Sequence, residues 1–97
     1  MLIRIVRMTF QEDKVQTFLD NFEQIKHKIR GFEGCEHLEL WRDAHDPNVY
    51  VTHSHWQSEE HLETYRHSAL FKEVWAYTKP LFSAKTVAFS VLRVENV

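Results

Sequence analysis

The sequence predicts a small α+β domain in the order β-α-β-β-α-β, which yields a four-stranded antiparallel sheet with its helices on one face. Three observations carry this reading. Apolar residues alternate with polar ones at period two near residue 2 and again near residue 90, a stretch after residue 10 repeats at three and four, and two serines stand where helix caps belong.

Leu2 to Phe10 mixes β-branched and apolar residues with Arg4 and Arg7, as a strand with one buried face does. From Gln11 to Arg30, Val15, Phe18, Leu19, Phe22, Ile25 and Ile29 recur at helical spacing, with Lys14, Asp20, Glu23 and Lys28 between them. Gly31 and Gly34, the two glycines of the chain, bracket Phe32 and end that helix, both suited to φ values other residues avoid. Cys35 to Arg42 and Val49 to Trp56 read as a hairpin about the polar Ala44–Asn48 turn. Ser58 caps a short helix running to about His67, with Glu59 and Glu60 in its first turn, where negative charge suits the helix dipole. Ser68 caps a second segment through Tyr77, and Pro80 breaks it. Thr86 to Val94 alternates again as a fourth strand.

The sheet face away from the helices needs a cover, because strands carrying Val49, Val51, Val87, Phe89 and Val91 have little purely polar face to offer water. A homodimer packed sheet to sheet is therefore expected. A chain of 97 residues buries only about 60 to 65% of its unfolded surface, so pairing would also enlarge a modest core. One domain over residues 1–97 is expected.

Twelve Lys and Arg against fourteen Asp and Glu give a net charge of −2 with no basic arm, which argues against nucleic acid as a partner. No hydrophobic run reaches signal-peptide or membrane-span length, so a cytoplasmic protein without a membrane partner is expected. Cys35 is the lone cysteine, which excludes an internal disulfide and a CxxC motif; a small packing residue is the simpler reading than a nucleophile. Gly-rich phosphate loops, GxSxG and HExxH are all missing.

The run Trp56-Gln57-Ser58-Glu59-Glu60-His61-Leu62-Glu63-Thr64-Tyr65-Arg66-His67-Ser68-Ala69-Leu70-Phe71, with the Gly31-Phe32-Glu33-Gly34-Cys35 turn, resembles the antibiotic biosynthesis monooxygenase family along the whole chain. The resemblance implies a dimeric ferredoxin-like fold with an apolar pocket between the sheet and the helices of each subunit. Members include cofactor-free oxidisers of polycyclic phenols, enzymes acting on quinols, haem degraders and proteins without an established activity, so fold and family do not fix the reaction. Trp56 matches the pocket Trp of the phenol oxidisers. Their Asn four positions earlier is Thr52 here, whose hydroxyl can contact a substrate oxygen but lacks the donor and acceptor pair of an amide. The positions of the haem degraders' Asn, Trp and ligating His look like Arg7, Tyr65 and Trp75, and without an imidazole at the last of these the resemblance disfavours haem degradation.

The residues themselves point the same way. Tyr50, Trp56, Tyr65, Phe71, Trp75, Tyr77 and Phe82 could wall a slot for a small, flat aromatic molecule, or they could fill the core. His67 would serve as a general base toward a phenol or quinol if it lines that slot; the alternative is a solvent-facing helix residue.

Strand parity puts Tyr50, Thr52, Ser54 and Trp56 on one face and His53 and His55 on the other, and a turn about Asp46 sets His37 and Glu39 opposite His55 and His53. That set could hold a divalent metal, although interface or surface histidines are the default. The leading expectation is an oxygenase with no cofactor and no metal, using Trp56, Thr52 and His67 on a substrate held by Tyr50, Tyr65, Phe71 and Trp75. Its rivals are a non-catalytic binding protein using the same pocket and a metal-binding protein using His53 and His55.

Overall fold

The computed structural model describes residues 1–97 and has the expected order. Strand β1 spans Leu2–Thr9, helix α1 Val15–Arg30, β2 Cys35–Arg42, β3 Val49–Trp56, α2 Glu59–Arg66, α3 Ala69–Thr78 and β4 Val87–Leu92. The four strands form one antiparallel sheet in the spatial order β2-β3-β1-β4, with the helices packed on one face: an α+β, ferredoxin-like fold.

Local chemistry sets the element ends. The Ser58 and Ser68 hydroxyls accept hydrogen bonds from the backbone N–H groups of His61 and Phe71, satisfying donors that the first turns of α2 and α3 leave open. Residues expected to begin the first helix instead form a 3₁₀ turn, Glu12–Lys14, before α1 starts at Val15. Pro80 does not simply break α3; it sits inside a 3₁₀ turn, Lys79–Leu81, where its missing N–H costs nothing. Of the two glycines, only Gly34 takes a left-handed φ, +91°; Gly31 lies at −83°, which any residue adopts. A Cβ on Gly34 would fall on the His61 ring, so this turn packs directly against α2.

Residues of even number on β1 and β3 face the helices, where they build two buried clusters. Met8, Phe10, Phe18, Tyr50 and Leu81 form one; Ile29, Cys35, Trp56, Leu62 and Tyr65 form the other. Across the hairpin, His37 pairs with His55 and Glu39 with His53, after a register shift between Cys35 and His37. That is the register expected from a turn about Asp46. The helix-free face carries these four side chains together with Trp41, Phe89 and Val91, of which Phe89 is 47% exposed.

No helix is long and apolar enough to cross a membrane.

Candidate functional site

A cavity of about 270 Å³ lies between the two buried clusters, bounded by Met8 and Phe18 from the first and by Ile29, Trp56, Leu62 and Tyr65 from the second. A dry cavity of about 150 Å³ accepts a benzene ring, so this one has room for roughly two rings. Fourteen of its nineteen lining residues are hydrophobic, which selects an apolar body for the ligand.

One wall is a chain of aromatic rings that runs from the end of β3 onto α2 and α3. Trp56 and Tyr65 stack with centroids 4.9 Å apart; Phe71 meets Tyr65 edge-on at 5.2 Å and stacks on Trp75 at 5.8 Å. Helical spacing places Phe71 and Trp75 one turn apart on the same face, which is why both reach the cavity. Trp56 is only 1% exposed, and its indole N–H is already spent on the Ser54 hydroxyl at 3.0 Å. Trp56 therefore offers a ligand its ring surface, not a hydrogen bond. Burial pushes the Tyr65 phenol well above its ordinary pKa, with the Cys35 thiol adding to the shift, so Tyr65 is neutral at physiological pH.

The opposite wall is the sheet, from which Val6, Thr52, Ser54 and Ala88 line the cavity. Arg4 comes from the same face and Arg66 from the last turn of α2. Arg66 is 43% exposed, so the cavity reaches solvent on that side; it pairs with Glu63 at 2.7 Å. Arg4 has no carboxylate partner and donates to the Ser90 hydroxyl at 3.2 Å. Burial, and then repulsion from Arg66, pull the Arg4 guanidinium below its ordinary pKa, while Glu63 opposes them. A guanidinium so placed is incompletely compensated and favours an anionic group beside it.

Of the residues expected to form the site, Trp56, Thr52, Tyr65, Phe71 and Trp75 come together around the cavity. Tyr50 does not: it lies at the other end of β3, packed against Phe10 and Phe18 with centroid distances of 6.2 and 5.8 Å. His67 also lies outside the lining. It follows the last residue of α2, its side chain 76% exposed, with Nδ1 2.8 Å from the Glu63 carbonyl oxygen. The condition for its acting as a base, that it line the slot, is not met.

Arg4 and Arg66 are the residues that sequence reasoning passed over. The signal for Arg4 was parity, since a charge that shares a face with Leu2, Val6 and Met8 points toward the core.

On the far side of the sheet, the His37 and Glu39 side chains are in direct contact, His53 Nδ1 lies 3.6 Å from Glu39 Oε2, and His53 and His55 meet at 3.2 Å through Nε2. Trp41 stacks on His53 at 4.5 Å and donates from Nε1 to Glu39 Oε1 at 2.9 Å. The Trp41 and His37 contacts hold the Glu39 carboxyl down at about 2. Burial, then the neighbouring His53 and His37, keep His55 below its ordinary pKa.

The sequence model of the antibiotic biosynthesis monooxygenase family matches residues 1–77. Among curated proteins, none matches the chain. Solved structures agree on the fold. An antibiotic biosynthesis monooxygenase crystal structure superposes with a TM-score of 0.90 at 17% identity, covering 98% of this chain and 100% of the other. A conserved protein from Methanosarcina mazei Go1 gives 0.86 at 21%, covering 93% and 90%. A protein from Mycobacterium tuberculosis gives 0.88 at 17%, covering 98% and 96%.

Proposed function

The chain belongs to the antibiotic biosynthesis monooxygenase family, and on that premise we propose that it oxidises a small aromatic phenol or quinol with dioxygen, the substrate supplying all the electrons. The observation that carries this reading is the two-ring cavity walled by Trp56, Tyr65, Phe71 and Trp75, with the carboxylate-free Arg4 beside it.

The substrate ring lies along the aromatic wall, and its oxygen is held by the Arg4 guanidinium and the Thr52 hydroxyl. Positive charge there favours the phenolate over the phenol, and the released proton leaves to solvent on the Arg66 side. The phenolate passes one electron to dioxygen; the resulting ring radical and superoxide combine at a ring carbon as a peroxide anion, and a proton returning from solvent on the Arg66 side completes the hydroperoxide. Loss of water then leaves a quinone. One oxygen atom of dioxygen stays on the ring, the other departs as water, and no outside reductant is consumed.

The apolar walls limit the water that can reach the radical pair. Oxygen uptake with a panel of phenols, quinols and anthrones tests this: turnover above background that falls in Trp56→Phe and Arg4→Gln supports it, and no turnover with any of them rejects it.

A second reading has its own support. The titratable groups of the lining are Arg4, Arg66 and Tyr65, none of which is a proton acceptor near neutral pH. This favours a protein that binds a small aromatic molecule without transforming it. Saturable quenching of tryptophan fluorescence with no oxygen uptake distinguishes the two.

Proteins of the family are commonly dimeric. The exposed row of Val87, Phe89 and Val91 supports a homodimer of this chain through the helix-free sheet face.

A further inference from the structure

We propose that His37, Glu39 and His53 form a binding site for one divalent transition-metal cation of the zinc, nickel or copper type, on the sheet face opposite the cavity. One ligand atom from each residue lies within 4.8 Å of the other two. In a tetrahedral centre with bonds of about 2.0–2.1 Å, neighbouring ligands sit roughly 3.4 Å apart. His53 Nδ1 and Glu39 Oε2, at 3.6 Å, are already at that spacing. His37 and Glu39 are in closer contact than a shared metal allows; in the single chain both side chains are nearly half exposed and can swing apart, and in a homodimer paired through this face the cation would lie within the interface. Two imidazoles and one carboxylate suit borderline cations and leave a fourth position for water.

A second observation points to a ligand. His53 Nδ1 is buried and has no hydrogen-bond partner, an unsatisfied polar atom of the kind that folded proteins avoid. Its other ring nitrogen meets His55 Nε2 at 3.2 Å; with His53 donating from Nε2, the Nδ1 lone pair is turned toward His37 and Glu39. His55 therefore acts as a positioning residue and not as a ligand, which changes the pair that the His53-x-His55 spacing suggests. Trp41 positions the third ligand in the same way, since its Nε1–H engages Glu39 Oε1 and leaves Oε2 for the cation. Its stacking on His53 fixes the ring plane. The strand register built all of this: the hairpin sets Glu39 opposite His53 and His37 opposite His55.

The site shares no lining residue with the cavity, so it stands or falls apart from the oxygenase reading. The test is calorimetric titration of the tag-free, chelator-treated protein with zinc, nickel and copper chlorides. One ion per chain is expected, with shifts of the His37 and His53 ring signals in nuclear magnetic resonance. Trp41→Phe should weaken binding by about 10- to 100-fold, and His37→Ala or Glu39→Gln by at least as much. His45→Ala and His67→Ala should leave it unchanged. Circular dichroism and light scattering confirm that each variant is folded and keeps its assembly, and His37→Ala and Glu39→Gln carry the test even if His53→Ala does not fold. Absence of saturable binding by any of the three ions, or binding that survives in the His37→Ala/Glu39→Gln double variant, overturns the site.

Discussion

Arg4 and Arg66 bring two guanidiniums to one side of the same cavity, and Glu63 pairs with only the second. The partnered arginine is anchored on α2, while the other waits on the sheet with a serine hydroxyl as its sole side-chain partner. The excess positive charge should be felt by any ligand that carries an ionised oxygen.

Replacing Arg4 with Gln is therefore expected to weaken a phenolate or aromatic carboxylate much more than a neutral ring of the same shape. A hydrogen bond to a charged partner contributes about 1.5–3 kcal/mol, or roughly 10- to 150-fold in affinity. Titration of tryptophan fluorescence with matched charged and neutral ligands reads the difference. Equal losses for both would show that Arg4 only shapes the wall.

Trp56 is the largest fully buried side chain. Truncation to Ala should cost about 3–5 kcal/mol of stability. Trp56→Phe keeps most of the packing but strands the Ser54 hydroxyl, for about 1 kcal/mol. Urea denaturation followed by circular dichroism measures both, and a smaller loss for Ala than for Phe would contradict the packing described here.

Gly34→Ala meets two penalties together, a left-handed backbone and the His61 ring in the space of the new methyl group. A loss of about 1–3 kcal/mol from the backbone alone is expected in chemical denaturation. Gly31→Ala, at an ordinary φ, should cost much less, and a reversed order would show that the turn is not built as described.

Tyr65 also carries a prediction about alkaline solution. Its folded pKa is raised above the ordinary value of 10, so the unfolded chain releases this proton first. The contribution is fully present below pH 10 and is lost as pH rises above it, by at most about 1.4 kcal/mol per pH unit. Wild type should therefore lose more stability than Tyr65→Phe between pH 9 and pH 11, as read from urea midpoints. Parallel losses would mean that Tyr65 is not buried from solvent.

A homodimer through the helix-free face predicts that Phe89→Glu, at a half-exposed position of β4, converts two-chain particles into single chains. Light scattering at micromolar concentration gives the mass; single chains in the wild type would remove this assembly.

The hairpin was legible to the residue, because Cys35–Arg42 and Val49–Trp56, rich in apolar, β-branched and aromatic residues, flank a polar turn containing Asp, Pro and Asn. Parity also assigned Tyr50 and Trp56 to the same face. What alternation does not reveal is position along a strand: six residues at about 3.3 Å each place Tyr50 some 20 Å from Trp56, in a different cluster. His67 failed to reach the cavity for a related reason. Helix α2 aims Leu62, Tyr65 and Arg66 at the cavity, and the next residue lies about 100° further round the axis, on the solvent side. Arg4 read as an ordinary strand charge until the helices showed which face they cover.

The strand order has a consequence for how the molecule comes into being. β1 lies in the middle of the sheet, with Leu2 opposite both Trp56 and Leu92. One flank of that central strand stays unpaired until residues near 90 have been synthesised, and such distant pairings fold slowly. During translation the β1 edge is therefore open to a neighbouring chain, and the interval before β4 arrives is when this protein is most exposed to mispairing.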